Sequence, residues 1–288
     1  MFRRTKIVAT LGPACSDPAV LKRMIVAGVD VVRINFSHGT REQHIAFADL
    51  TRSLAHSVGC TVGVLADLQG PKIRIGRFEQ SKIWLNVGDE FILDADCTLG
   101  NKERVGLDYK ELPNDVEEGV ILLLDDGRIV LSVNKVKGGE IFCEVKQGGP
   151  LSNNKGINRQ GGGLSAPALT SKDMQDIKIA ADLKADYLAV SFPRSGEDIR
   201  LARSLMQEAG GNSLIMAKIE RTEAILALGD IMEASDALMV ARGDLAVEVG
   251  DAVVPALQKR MIRSARAHNR LVVTATQMME SMITNPIP

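Results

Sequence analysis

Short apolar runs alternate regularly with helical segments along this chain, and this alternation limits the possible folds more than any other pattern in the sequence. Each apolar run has the length of a strand, and a helical segment separates most consecutive runs. Alternating strands and helices build a parallel sheet with crossover helices, and strands that are apolar on both faces need cover on both sides. We therefore predict an α/β fold whose parallel sheet contains the runs "KIVATL", "VDVVRINF", "TVGVLADL", "DYLAVSF", "SLIMAKIE", "ALMVARG" and "RLVVTAT".

Helix boundaries are marked at two places near the amino terminus. In "SDPAVLKRMIVAG", Ser16 or Asp17 can cap the start of a helix, and Gly28 lies just past its end. Thr40 is followed three residues later by Gln43, which is the spacing of a capping box. These signals predict one helix after the first strand and another after the second.

One long interval interrupts the alternation. Residues 69–165 contain short alternating runs separated by the turn sequences "DDG" and "KGG", and no convincing helix. We predict three segments: residues 1–69 as the first part of the main domain, 70–165 as an inserted antiparallel β domain, and 166–288 as the second part. The exit from the insert, "GGPLSNNKGINRQGGGLSAP", is rich in Gly, Asn and Ser, which predicts a mobile hinge.

Composition and charge argue against several classes of partner. The net charge of −1 gives no basic surface for nucleic acid or a membrane, and no apolar run approaches the roughly 20 residues that a membrane span needs. The four cysteines are far apart, without the paired spacing of a zinc or redox site. We expect a cytoplasmic protein.

Several predicted strands are apolar at the start and polar at the carboxyl end. Arg33, Asn35 and Ser37 alternate along the second strand, so their side chains point to one side. In a (β/α)₈ barrel the carboxyl ends of the strands meet on the face that carries the active site. We therefore predict a TIM (β/α)₈-type barrel with a site at this face, formed also by Asp67, Lys218, Glu220, Asp244, Thr274 and Thr276.

The residue types at these strand ends predict phosphate chemistry assisted by a metal. Glu220 and Asp244 lie at the ends of neighbouring strands, and carboxylates with open positions suit Mg²⁺, or Mn²⁺, bridging to substrate phosphates. Arg33 and Lys218 would neutralise a transferring phosphoryl group, and Gly243 would allow close approach of a ligand to the backbone. Alternatively, Glu220 only pairs with Lys218 or with Arg221.

The order of longer motifs resembles that of the pyruvate kinase family. The motifs "TKIVATLGPA", "VVRINFSHG", "DLQGPKIR", "LSNNKGIN", "KIE", "VARGDL" and "ATQMMESM" follow that family's order along the whole chain. The resemblance covers both the barrel and the insert, which would act as a lid. It implies phosphoryl transfer from phosphoenolpyruvate to ADP, giving ATP and an enolate that is protonated to pyruvate.

The resemblance also implies roles for individual residues. Lys218 would stabilise the phosphoryl group in transfer and Arg33 would contact it, while Thr276 and the backbone of Gly243 and Asp244 would hold the substrate carboxylate. Glu220 and Asp244 would bind Mg²⁺. The nucleotide would lie near Asn35, Phe36, Ser37, His38, Arg74 and Lys155, and a monovalent cation near Asn35, Ser37, Asp67 and Leu68.

Three assignments retain an alternative. His38 taken alone is as well explained by a structural histidine. Asp126, in the "DDG" turn, would approach a second metal from the lid, or it is an ordinary hairpin residue. Lys72 stands where many family members have Glu and require K⁺, so its ammonium could replace that cation and make K⁺ dispensable; alternatively it points to solvent.

Only seven barrel strands are present in the sequence. We therefore expect an incomplete barrel and a piece of a longer enzyme, whose family forms homotetramers. One competing reading is a truncated, non-catalytic fragment that binds ligand or partner subunits. Another is a different barrel enzyme that acts on a phosphorylated enolate with Mg²⁺.

Overall fold

The computed structural model of the protein describes residues 3–276 and 279–286. The first part of the chain contains three parallel strands connected by two helices. The strands pair in sequence order, with Val8 opposite Val31 and Val31 opposite Gly63. The elements are β1 (Val8–Thr10), α1 (Pro18–Val26), β2 (Val31–Asn35), α2 (Arg41–Ser57) and β3 (Gly63–Asp67).

The predicted helix boundaries in this part are confirmed. Asp17, rather than Ser16, caps α1, since its Oδ1 accepts the amides of Ala19 at 2.7 Å and Val20 at 3.2 Å. Gly28 follows the helix with φ 106°, a conformation that glycine adopts at little cost. At the start of α2, the Thr40 hydroxyl accepts the Gln43 amide, and the Gln43 side chain accepts the Thr40 amide.

The insert is an all-β unit with eight strands. Between residues 69 and 165 the helical content is limited to a 3₁₀ turn at Leu112–Asn114. The "DDG" and "KGG" turns both connect antiparallel neighbours, as predicted. The strands are β4 (Lys82–Leu85), β5 (Glu90–Asp94), β6 (Arg104–Gly106), β7 (Ile121–Leu124), β8 (Ile129–Lys137), β9 (Glu140–Gln147), β10 (Gly149–Ser152) and β11 (Ile157–Arg159).

The sheets of the insert differ from the prediction in two respects. β5 and β6 pair in parallel, whereas we predicted only antiparallel pairs. The exit segment also contains two ladder strands, because β10 pairs with β4 and β11 with β7. After β11 come three glycines, at residues 161–163, with φ of 82°, 80° and 92°. The insert has its own buried cluster, which extends from Ile73 to Ala166; the predicted domain boundaries stay a prediction.

The second part of the chain returns to strand–helix alternation. Each strand again pairs in parallel with the next. The elements are α3 (Ser171–Asp182), β12 (Tyr187–Val190), α4 (Gly196–Glu208), β13 (Leu214–Ile219), α5 (Thr222–Leu226), α6 (Leu228–Ala234), β14 (Ala237–Ala241), α7 (Arg242–Val249), α8 (Val254–Ala267) and β15 (Leu271–Ala275).

The seven parallel strands form one sheet in the order β1-β2-β3-β12-β13-β14-β15. One face carries an inner cluster that includes Leu65, Met216 and Met239, and the helices cover the other face with a larger cluster. The predicted incomplete (β/α)₈-type barrel with an all-β insert is therefore confirmed. In the described residues, β1 and β15 each have one neighbour in this sheet, and β15 is less buried than β14.

Candidate active site

Side chains from four neighbouring strands converge at the carboxyl end of the sheet. Arg33 Nε lies 2.6 Å from Asp67 Oδ2, and Lys218 Nζ lies 3.3 Å from Asp67 Oδ1 and 3.0 Å from Glu220 Oε1. The Ser191 hydroxyl completes the cluster at 2.7 Å from Lys218 Nζ. Parallel pairing aligns the strand ends, and this brings residues far apart in sequence into one charged network.

Lys218 is the buried cation of this network. Burial is the largest effect on its pKa and lowers it, but the charges of Glu220 and Asp67 raise it, and the net pKa lies above the ordinary value of 10.5. Lys218 therefore stays protonated and presents a fixed ammonium. Among the described residues the buried Asp67 Oδ1 has no hydrogen-bond partner, although it lies within ion-pair distance of that ammonium.

Glu220 follows β13 and is 1% exposed. Burial raises the pKa of this carboxyl to about 7, with added effects of the Asp244 and Asp67 charges, and Lys218 opposes the shift. Its Oε2 accepts the amide of Phe192 at 2.8 Å, and Phe192 has the left-handed φ of 54°. The predicted alternative, in which Glu220 pairs with Lys218, is therefore observed. A divalent cation bound by Glu220 would likewise favour the ionised form of its carboxyl.

Asp244 lies at the start of α7, directly after β14. The helix begins at Arg242, so the backbone of Gly243 and Asp244 belongs to its first turn, whose amides can bind an anion. Asp244 Oδ1 lies 3.6 Å from Lys72 Nζ. Because β13 and β14 are adjacent, Glu220 and Asp244 face the same region, and the Asp244 charge acts on the Glu220 carboxyl.

These residues fit a divalent cation that shares its coordination with a substrate. Within the part of the chain that the structure describes, no group of three or more His, Cys, Asp or Glu residues is arranged to enclose a metal ion. Mg²⁺ typically takes one or two carboxylates and completes its shell with water and phosphate oxygens. The pair of Glu220 and Asp244, beside a buried carboxylate oxygen of Asp67 without a hydrogen bond, is a donor set of this kind.

Thr276 follows β15 with the left-handed φ of 55°, which is rare for a β-branched residue. The Arg242 guanidinium donates to the carbonyls of Ala275 and Thr276, and so connects this turn to the start of α7. Strained backbone of this kind is concentrated at functional sites. The structure thus brings Thr276 beside the helix that carries Gly243 and Asp244.

The residues predicted for nucleotide and monovalent cation lie at the ends of β2 and β3. Asn35 is the last residue of β2, and its Oδ1 accepts the amide of Ser37 in the following turn at 3.1 Å. Phe36 is buried with its ring 4.4 Å from that of His44, while His38 is exposed. The Leu68 carbonyl accepts the Ser191 hydroxyl at 2.8 Å.

Arg74 and Lys155 lie on the insert, close to one another. Residues Arg74 and Gly156 form an antiparallel bridge, and Arg74 Nη1 donates to the Asn154 carbonyl at 3.1 Å. Lys155 Nζ pairs with Asp125 at 2.7 Å. Neither cation reaches the barrel cluster through an ion pair within the described ranges.

A cleft of about 590 Å³ lies between the insert and the barrel. Its lining includes Lys72 and Asp126 from the insert side and Gly243 and Asp244 from the barrel side. Asp126 therefore faces the same space as Asp244. No ion pair or hydrogen bond connects Lys72 with Asn35, Ser37 or Asp67 among the described residues, so its ammonium lies at the Asp244 side of the site.

Ser191 is a site residue that was not predicted from the sequence. It is 1% exposed and connects the Lys218 ammonium with the Leu68 carbonyl. The signal was present, because Ser191 is the polar residue after the apolar run of "DYLAVSF". The pattern of polar residues at strand ends, which predicted the other site residues, therefore also indicates Ser191.

A larger cavity, about 850 Å³, lies at the amino ends of the strands. Its aspartates serve the backbone: Asp30 accepts the Ile7 amide and Asp186 the Val64 amide. Asp30 also pairs with Arg3 and Lys6. The charged cluster of Lys218, Glu220 and Asp67 lies at the opposite, carboxyl end of the sheet.

The chain is similar to known proteins over its full length. Residues 2–288 match the family described as "Pyruvate kinase, barrel domain". The chain is 58% identical to "Pyruvate kinase II" of Salmonella typhimurium, 57% to "Pyruvate kinase" of Haemophilus influenzae and 45% to "Pyruvate kinase" of Corynebacterium efficiens. Each alignment covers 100% of this chain and 61% of the relative.

No helix in residues 3–276 and 279–286 is long and apolar enough to span a membrane. The chain spans about 61% of the length of the curated relatives named above. The family profile, these relatives and the incomplete barrel with its all-β insert agree with one another. The chain belongs to the pyruvate kinase family.

Proposed function

We propose that this chain carries the catalytic part of an enzyme that transfers the phosphoryl group of phosphoenolpyruvate to ADP, forming pyruvate and ATP. The observation that supports this most is the convergence of Lys218, Arg33, Asp67 and Glu220 in one buried network. Fixed cations beside carboxylates suit phosphoryl transfer, which depends on positioning and charge neutralisation.

The reaction assigns a task to each group of residues. The Lys218 ammonium, held by Ser191 and two carboxylates, would neutralise charge on the phosphoryl group in transfer, and Arg33 would orient that group. Thr276 and the first-turn amides of α7 would hold the substrate carboxylate. Water would be excluded when the insert, residues 70–165, closes as a lid over the cleft.

Glu220 and Asp244 are the residues that would hold Mg²⁺ or Mn²⁺, which when bound supplies further positive charge at the phosphate oxygens. ADP would lie near Asn35, Phe36, Ser37, His38, Arg74 and Lys155. Phe36 is buried, so the contacts with ADP at this place would come from the exposed neighbours of Phe36. K⁺, if used, would lie near Asn35, Ser37, Asp67 and Leu68, and we propose that Lys72 makes it dispensable. The cytoplasm as location and the homotetramer of the intact enzyme remain predictions.

A coupled assay with lactate dehydrogenase and NADH tests this function. The purified chain is expected to form pyruvate only when both phosphoenolpyruvate and ADP are present. Lys218→Met should lower kcat by about 10²–10³-fold, since an electrostatic contact to the transition state is lost, while ligand binding is partly retained. Near-normal turnover by Lys218→Met would contradict the role of this ammonium, and consumption of phosphoenolpyruvate without ADP would favour a different enolate enzyme.

A non-catalytic binding fragment is the second candidate. It is supported by the open sheet, in which β15 is only partly buried and Leu271 is 56% exposed. Such an edge could associate with another subunit. Ligand binding by a chain that forms no pyruvate would favour this alternative.

A further inference from the structure

Glu248 connects three segments around the candidate site. It lies near the end of α7 and is 4% exposed. Its Oε2 accepts the amide of Thr222 at 2.8 Å, at the start of α5. Its backbone carbonyl accepts the amide of Gly161 at 3.2 Å, in the glycine segment where the chain leaves the insert.

The hydrogen bond between Glu248 and Thr222 connects the two segments that carry the carboxylates proposed for the metal. Asp244 and Glu248 lie four residues apart on α7, which is about one helical turn. Glu220 lies two residues before Thr222. A change in the Glu248–Thr222 contact would therefore move the Asp244 helix relative to the Glu220 loop.

The surroundings of Glu248 are unusually rich in polar atoms without partners. Within residues 3–276 and 279–286, four buried atoms near Glu248 have no hydrogen-bond partner: Arg221 Nη1, Thr222 Oγ1, Glu223 Oε2 and Arg159 Nε. A small cavity of about 10 Å³, lined in part by Arg221 and Glu248, has the size of one water molecule. Native structures pair most buried polar groups with protein atoms or ordered water, and this cavity is large enough to supply one water to such a group.

The same region holds the glycine segment in place. Glu223 Oε1 accepts the amide of Gly163, and Arg159 Nη1 donates to the Gly162 carbonyl at 2.8 Å. A side chain at residue 162 would collide with the Glu223 carboxylate. The exit of the insert is thus held by Glu223, on the helix that follows Glu220, and by Glu248, on the helix that carries Asp244.

We propose that Glu248 is a positioning residue, which sets the spacing of the Glu220 and Asp244 carboxylates through the Thr222 amide and connects that spacing to the exit of the insert. This rests on the proposed function, because it concerns the metal site assigned there. The hydrogen-bond acceptor at residue 248, rather than its charge, carries the effect.

Variants that separate the acceptor from the charge test the proposal. Mn²⁺ binding to the chain is measured by electron paramagnetic resonance of the free ion. Glu248→Gln keeps an acceptor at the same reach without charge, whereas Glu248→Asp keeps the charge but is one methylene too short. Glu233, an exposed glutamate on α6, supplies matched control variants Glu233→Gln and Glu233→Asp.

We expect Glu248→Gln to bind Mn²⁺ within about twofold of the unmodified chain and Glu248→Asp to bind about 10- to 100-fold more weakly, the usual effect of losing an outer contact of a metal site. Both Glu233 variants should bind normally. The reverse order, with Asp retaining affinity and Gln losing it, would show an effect of charge and overturn the proposal. Equal affinity of all variants would overturn it too.

A second measurement needs only the unmodified chain, in case Glu248→Asp does not fold. Saturating Mg²⁺ should slow hydrogen exchange of the Thr222 and Gly161 amides by at least about threefold, because coupling between two sites acts in both directions. Unchanged exchange despite bound metal would contradict the inference alone. A chain that binds neither metal would instead overturn the metal site of the proposed function, and this inference with it.

Discussion

The Ser191 hydroxyl lies between two strand ends, 2.7 Å from Lys218 Nζ and 2.8 Å from the Leu68 carbonyl. It fixes the direction of a long, flexible side chain that carries a buried charge. A hydrogen bond to a charged group typically contributes about 1.5–3 kcal/mol. Ser191 is therefore a positioning residue for the Lys218 ammonium.

Removing this hydroxyl should reduce catalysis more than binding. We expect Ser191→Ala to lower kcat by about 10- to 100-fold, the kinetic equivalent of that hydrogen bond, with a smaller change in KM. Steady-state kinetics in the coupled assay measure both constants. Ser191→Thr, which keeps the hydroxyl, is the control, and an Ala variant with unchanged kcat would contradict this role.

The Glu248 carboxyl should make stability depend on pH. Burial is the largest cause that raises its pKa to about 7, the Glu223 charge adds to it, and the Thr222 amide and the Arg221 charge oppose it. The folded chain therefore binds a proton more tightly than the unfolded chain, whose glutamate has the ordinary pKa of 4.5. The stabilisation is present below about pH 4.5 and is lost as the pH rises through about 7.

Urea unfolding of the unmodified chain and Glu248→Gln at pH 5 and about pH 8 tests this pH dependence. The difference in free energy of unfolding between Glu248→Gln and the unmodified chain should shift in favour of the variant by on the order of 1–3 kcal/mol from the lower to the higher pH. The reason is that the amide of the variant never ionises in the buried position. The same difference at both pH values would show that the Glu248 pKa is not raised.

At the scale of elements, one arrangement recurs at the amino ends of the strands. Three aspartates each precede one strand and accept a backbone amide from the neighbouring strand at 2.7–2.8 Å. The pairs are Asp30 with the Ile7 amide, Asp186 with the Val64 amide and Asp236 with the Ile215 amide. The arrangement is visible in the sequence as an aspartate before the runs "VVRIN", "YLAV" and "ALMVA". These contacts give amides at strand starts a side-chain acceptor from the neighbouring strand.

We expect Asp186→Ala to destabilise the chain by about 1–3 kcal/mol, because the Val64 amide loses its acceptor. Asp186→Asn should retain most of the stability, since the amide oxygen can accept the same hydrogen bond. Urea unfolding followed by circular dichroism measures the difference. Equal stability of the Ala variant and the unmodified chain would show that this contact is dispensable.

The elements also show where sequence reasoning succeeded and failed. The strands and α2 could be predicted because their apolar runs and capping residues are local signals. α7 was missed because Ala241 provides no side-chain cap and Gly243 lies in its first turn. The helical segment after β13 is divided into α5 and α6 at Ala227, and no Gly or Pro at that residue predicts the break.

The site was predictable to the extent that strand ends align. The adjacency of Glu220 and Asp244 follows from the order of β13 and β14. The contacts of Glu248 with Thr222 and Gly161 join residues on α7, α5 and the exit of the insert. Nothing in the spacing of these residues indicates such tertiary contacts, which only the folded packing determines.

At the scale of the whole molecule, Lys72 joins the insert to the barrel by its contact with Asp244 at 3.6 Å. Within the described residues Lys72 contacts none of Asn35, Ser37 and Asp67, so its ammonium would disfavour a monovalent cation there through its charge rather than by occupying the same place. We therefore expect the rate of pyruvate formation to change by no more than about twofold when tetramethylammonium replaces K⁺. A twofold change in rate corresponds to much less free energy than a shift of one pKa unit. A large loss that K⁺ restores would contradict this prediction.

The proposed metal site is tested most sharply by the stoichiometry of Mn²⁺ binding, measured by electron paramagnetic resonance. If Glu220 and Asp244 share one ion, the unmodified chain should bind a single Mn²⁺, and Glu220→Gln and Asp244→Asn should each weaken it by about tenfold or more. The double variant should lose less than the sum of the two effects, because both residues act on one site. Independent, additive losses, or one variant without effect, would show that the two carboxylates do not share an ion.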